Sequence, residues 1–157
     1  MAGMWLWLIP PAVLLAGAAV WFFGRRLRKF GREVNAARAR ELFKLQRERL
    51  EAQFLGAAAK TGKPRGLRWV DCEWDDGVAF VRERQTGHIA ALAGFTIQFE
   101  AIEGSDMEGL PAVGNLRNAS AVFFFQGGHW HTVGKAVFNM NPDEALQHFH
   151  NQYEPLA

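Results

Sequence analysis

A single cysteine, Cys72, leaves the chain no means of forming an intrachain disulfide, which excludes a disulfide-stapled secreted scaffold and fits a reducing compartment. The first two dozen residues have no cysteine, so a lipid carried on an N-terminal thiol is not expected. Charge is missing altogether from Ala2 to Phe23. The chain also lacks the basic start that a cleaved signal peptide would show, and its one small-residue site, Ala16 to Ala19, runs into Trp21-Phe22-Phe23. Proline is absent from Arg26 to Ala59. No arrangement of nucleophile, base or metal ligands with motif spacing stands out anywhere, so the expected catalytic, cofactor and metal residues are none.

What remains in residues 1–24 reads as a transmembrane helix. The hydrocarbon core needs about 20 apolar residues in helix, and this stretch supplies them. Trp5, Trp7 and Trp21 lie toward its two ends, where amphipathic rings favour the interface, and Pro10-Pro11 would kink it. Arg25, Arg26, Arg28, Lys29 and Arg32 follow the span and no Lys or Arg precedes it. Positive charge resists translocation, so the expected location is the cell membrane, single-pass, with the C-terminal part in the cytoplasm. The lipid bilayer is then the first expected partner, and the basic flank is suited to anionic headgroups. The net charge of +2 hides an asymmetry: Arg25 to Gly56 carries ten Lys/Arg against four Glu, while the remainder is net acidic. A basic face for nucleic acid is not expected.

Residues 25–60 read as a basic juxtamembrane and amphipathic helix, broken near Gly31, with two apolar stripes. Leu27, Phe30 and Val34 would face lipid or a partner; Phe43, Leu50, Phe54 and Ala57 would face a core. Residues 61–157 read as an antiparallel sheet domain with a C-terminal helix. Strands are expected over 67–74, 78–84, 88–102, 119–125 and 130–139, a five-stranded curved meander with hairpins at Asp75-Asp76-Gly77, Gln85-Thr86-Gly87 and Gln126-Gly127-Gly128. Alternation puts Phe95, Ile97 and Phe99 on the core face. It also puts Val70, Cys72 and Trp74 opposite Leu67 and Trp69. Phe123-Phe124-Phe125 is apolar on both faces, so the second face needs a cover: the last helix, another copy or a ligand. Asn141-Pro142-Asp143-Glu144 signals the start of that last helix, with Leu146, Phe149 and Tyr153 on one side.

The fold class is therefore α+β, and its element order resembles cystatin-like and nuclear-transport-factor-like domains in architecture. The run Gly62-Lys63-Pro64-Arg65-Gly66-Leu67-Arg68-Trp69-Val70-Asp71-Cys72, with Phe99-Glu100-Ala101-Ile102-Glu103-Gly104 and Val113-Gly114-Asn115-Leu116-Arg117, resembles a group of short bacterial single-pass membrane proteins. The resemblance implies the layout of anchor and small domain and brings no activity with it.

Several residues invite a functional reading. Asp71 and Glu73 share one face of the first strand, as paired carboxylates for acid and base work would. His129 and His131 share a face at metal-binding spacing but have no third ligand in sequence, and His148 and His150 are too far apart in angle on a helix to chelate together. The connection from Glu103 to Asn118, with Asp106 and Arg117, is longer than a meander requires, and such loops often carry function. Two functions follow. One is a non-enzymatic module that binds a protein partner or itself through the second sheet face, with Phe124, and the long loop. The other is a small-ligand or enzymatic pocket between the sheet and the long helix, lined by Trp69, Asp71, Glu73 and His131.

Overall fold

The computed structural model describes the backbone of residues 9–61 and 66–156, and the side chains of residues 17, 20–27, 31–60 and 66–156. The chain is α+β, with one long helix and a six-stranded antiparallel sheet. Helix α1 spans Ile9–Thr61, followed by β1 Leu67–Glu83, β2 Ile89–Ala101, β3 Arg117–Gln126, β4 His129–His131, β5 Ala136–Phe138, α2 Pro142–His148 and β6 Tyr153–Pro155. The chain divides into two compact units, Met1–Ala37 and Arg38–Ala157.

In the first unit the described residues are helical, with no break at Gly31. Trp21, Phe22, Phe23, Leu27 and Val34 are exposed. The Arg25 guanidinium lies 4.5 Å from the centre of the Trp21 ring, a cation–π contact. Among the described residues no helix is long and apolar enough to cross a membrane. Trp5 and Trp7 lie outside the described residues, as do the side chains of Arg28 and Lys29.

In the second unit α1 lays one stripe on the sheet. Ala39, Phe43, Leu50, Phe54 and Ala58 are buried along it, four or seven residues apart, as one face of a 3.6-residue helix requires. Ala58 takes the fully buried place expected of Ala57, which is half-buried. Phe54 sits in a ring of aromatics, 5.4 Å from Phe95, 5.6 Å from Trp74, 5.9 Å from Phe123 and 6.1 Å from Trp69 between centroids. Phe43 meets Phe80, Phe123 and Trp130 in the same way. Each such side chain contributes about 1.5–3 kcal/mol by leaving water, and edge-to-face geometry adds to that. Trp130 also donates its indole N–H to the Ala39 carbonyl at 2.8 Å, which satisfies a polar atom that burial would otherwise strand.

The sheet runs β4-β3-β2-β1-β6, with β5 also paired to β3. The expected first and second strands are one strand. Trp74 pairs with Phe95 and Val78 with Ala93, so Asp75-Asp76-Gly77 is a bulge within β1 and not a hairpin. Asp-Asp-Gly has turn chemistry, but both flanks find the same partner, β2. The facing residue, Gly94, has no side chain: a Cβ there would lie 2.9 Å from an Asp75 carboxylate oxygen. Arg47 of α1 donates to the carbonyls of Asp75 and Asp76 and pairs with Glu51 at 2.7 Å, which holds the bulge against the helix.

A second bulge at Val70 overturns the expected facing of β1. Trp69 pairs with Phe99 and Asp71 with Gln98, so one extra residue shifts the alternation. Trp69, Cys72 and Trp74 consequently share the helix face, and Val70 is exposed. In β2 the reading holds: Phe95, Ile97 and Phe99 are buried toward α1. The expected strand over 130–139 is two short strands, β4 and β5, both on β3.

The apolar part of the second sheet face is covered by the chain itself. Val81, Ala90, Leu92 and Val122 pack with Ala145 and Tyr153, and Phe124, Leu146 and Phe149 close over them. The Asn141 side chain accepts from the Glu144 N–H and the Glu144 carboxylate accepts from the Asn141 N–H, both at 2.9 Å, a complete capping box with Pro142 in the first turn. The helix is shorter than expected. It ends at His148, and Tyr153 belongs to β6, a strand not foreseen, which pairs with Val81 to Glu83.

Candidate functional site

The aromatic stripe of α1 fills the space between helix and sheet with side chains, so the pocket expected there is a packed core. The residues expected to line it do not converge. Trp69 lies in the core, 5.9 Å from the Phe99 ring and 6.4 Å from that of Phe138. Its indole N–H is buried and finds no acceptor among the described residues. Asp71 and Glu73 point to the opposite face and are exposed, on a length of β1 that β6 does not reach. The Asp71 carboxylate accepts from the Cys72 N–H at 2.9 Å. His131 is on β4, its ring 5.8 Å from that of Phe124. Phe124 is half-buried against the second core.

Cys72 stands between these groups and is a poor nucleophile. Burial, then the charges of Asp71 and Glu51, push its thiol up to about 12, so the thiolate is scarce at neutral pH. Among the described residues no three or more His, Cys, Asp or Glu side chains gather as metal ligands.

The long connection builds the most distinctive concavity of the second unit. It is a chain of turns with a short 3-10 helix, Pro111–Gly114. Its start is tied down where the Ile102 N–H donates to the Gly66 carbonyl at 2.8 Å and the Ser105 hydroxyl donates to the same oxygen at 3.1 Å. The Gly104 N–H donates to Glu108 at 2.8 Å, and Gln98 reaches across from β2 to the Gly114 carbonyl at 3.2 Å. Held at both ends, the segment arches over the helix-side face of the sheet and leaves a pocket of about 310 Å³. Phe99, Phe138 and Leu67 form its sheet side, and Met107, Leu110 and Val113 its loop side.

Arg117, where β3 begins, is the polar group of this pocket, and it also lines a second, polar groove of about 450 Å³ beside Asn115, Asn118, Asn139 and Glu144. Of the residues singled out in sequence, Arg117 is therefore the one that the concavity uses. Asp106 lies exposed on the same loop, outside the lining. The sequence did contain a signal for the rest: Met107, Leu110 and Val113 recur every three residues in an otherwise polar connection. No family model, curated protein or solved structure matches the chain.

Proposed function

We propose that this chain is a membrane-tethered, non-enzymatic interaction module whose recognition end is the arched 103–116 segment. The observation that carries the reading is the exposure of large apolar residues in and beside that segment: Ile102, Leu110 and Leu116 are 44%, 51% and 69% exposed. Three large apolar side chains left in water along one connection and its flank suit a contact surface. The apolar part of the second sheet face, with Phe124, a rival surface in the sequence, is packed against α2 and Tyr153 of β6. A protein partner or a second copy of the chain is the occupant that fits an open, apolar loop surface of this kind.

The anchor is the finer part of the proposal and rests on sequence: the uncharged Ala2 to Phe23 stretch, its flanking tryptophans, and the basic run from Arg25 to Arg32. The same run supports a cytoplasmic position for the domain. The likeness to cystatin-like and nuclear-transport-factor-like domains rests on element order and says nothing of activity. A photo-crosslinking residue at Leu116 in native membranes tests the interaction reading, with Leu45, 75% exposed on α1, as control site. A defined adduct at 116 that Leu110→Glu removes is the expected result. Identical adducts from positions 116 and 45 would overturn it.

A further inference from the structure

The pocket beneath the arch is apolar except for one residue, Arg117, and so has the two-part character of an amphiphile site. We propose that this pocket binds a single-chain, monoanionic amphiphile, with the alkyl chain between Phe99, Phe138 and Val113 and a carboxylate headgroup on Arg117. This goes beyond the protein-contact reading and does not depend on it.

Two features carry the assignment. First, the Arg117 side chain makes no ion pair and no hydrogen bond among the described residues, although the residue is only half-exposed and its backbone is paired with β2. A guanidinium so placed favours an anion that accepts two parallel N–H bonds. Second, the pocket lining apart from Arg117 is apolar, so an entering peptide would leave its amides without partners, whereas an alkyl chain has none to satisfy. The volume of about 310 Å³ holds a chain on the order of ten carbons, taking roughly 30 Å³ per small group.

The experiment uses the full chain in lipid nanodiscs and a photoreactive decanoate bearing a diazirine near its methyl end, with labelled peptides mapped by mass spectrometry. Labelling is expected on residues 107–113 and at Phe99 or Phe138, saturable and competed by unlabelled decanoate. Decyltrimethylammonium should compete at least tenfold less well. Octanoate should compete more weakly than decanoate, by about threefold to fourfold for each methylene lost. Arg117→Gln should weaken labelling about tenfold or more while Arg117→Lys retains part of it. Val113→Trp, which fills the pocket from the loop side, should abolish labelling with an unchanged melting temperature. Equal competition by the cationic and anionic chains, labelling spread along α1, or labelling indifferent to both Arg117→Gln and Val113→Trp would overturn the proposal.

Discussion

Replacing Phe54 by alanine tests the central claim about packing, that one helix stripe closes the sheet. Phe54 is fully buried, and four aromatic rings surround it within about 6 Å. Phe→Ala in a core costs about 3–5 kcal/mol, the transfer term of the ring plus a cavity term that grows when the walls cannot collapse. Here the walls are Trp69, Trp74, Phe95 and Phe123, stiff rings held by strand pairing, and the loss of edge-to-face contacts adds to the cost. The expectation is therefore the upper half of that range, about 4–5 kcal/mol. A domain is stable by roughly 5–15 kcal/mol in total, so the variant should be severely weakened. Melting followed by near-ultraviolet circular dichroism and urea titration of tryptophan fluorescence both read it, and the midpoint should fall by more than 10 °C. Leu45→Ala, on the exposed side of the same helix, is the control and should stay within about 0.5 kcal/mol. A loss below about 1.5 kcal/mol at Phe54, or equal losses at both positions, would refute the placement of α1 on the sheet.

Gly134 has φ near +76°, and a Cβ there would lie 2.5 Å from the Ala58 backbone nitrogen, so Gly134→Ala should cost about 2–4 kcal/mol in the same melts; a neutral result would mean that the β4–β5 connection does not cross the end of α1. Asn141→Ala removes one half of the capping box and should cost about 1 kcal/mol, with Asn141→Gly recovering most of it, as measured by urea unfolding. Cys72 should resist alkylation by iodoacetamide at pH 8.5 in the folded protein and react promptly in urea; rapid labelling of the native state would contradict its burial. Because its folded pKa, about 12, lies above the ordinary thiol value of 9.0, the unfolded chain loses that proton first as pH rises. The Cys72 contribution to stability is thus whole below about pH 9 and is lost as pH climbs toward 12, a dependence that Cys72→Ala should remove from a pH series of urea midpoints.

The elements that sequence foretold are those whose signals are local. The capping box at Asn141 needs only four consecutive residues, and it forms as read. The helix stripe at Phe43, Leu50 and Phe54 follows from a 3.6-residue period, and the alternation of Phe95, Ile97 and Phe99 from a period of two, so burial of these residues was legible without any knowledge of their partners. Composition likewise settled that no intrachain disulfide forms, since Cys72 stands alone.

Tertiary structure decided what depends on a distant partner. Asp75-Asp76-Gly77 is chemically fit for a hairpin, and only the common pairing of both flanks with β2, beside Gly94 and under Arg47, makes it a bulge. One unpaired residue, Val70, then turned Trp69 toward the core and left Asp71 and Glu73 on the other face, a reversal invisible to any count of alternating residues. The covering of the apolar part of the second face by α2 and Tyr153 of the short strand β6, and the meeting of Phe99, Val113, Arg117 and Phe138 around one pocket, join residues far apart in the chain. Periodicity specifies which side of an element is apolar; which apolar sides meet, and where a hollow is left between them, is settled by strand register and by the closure of the chain upon itself.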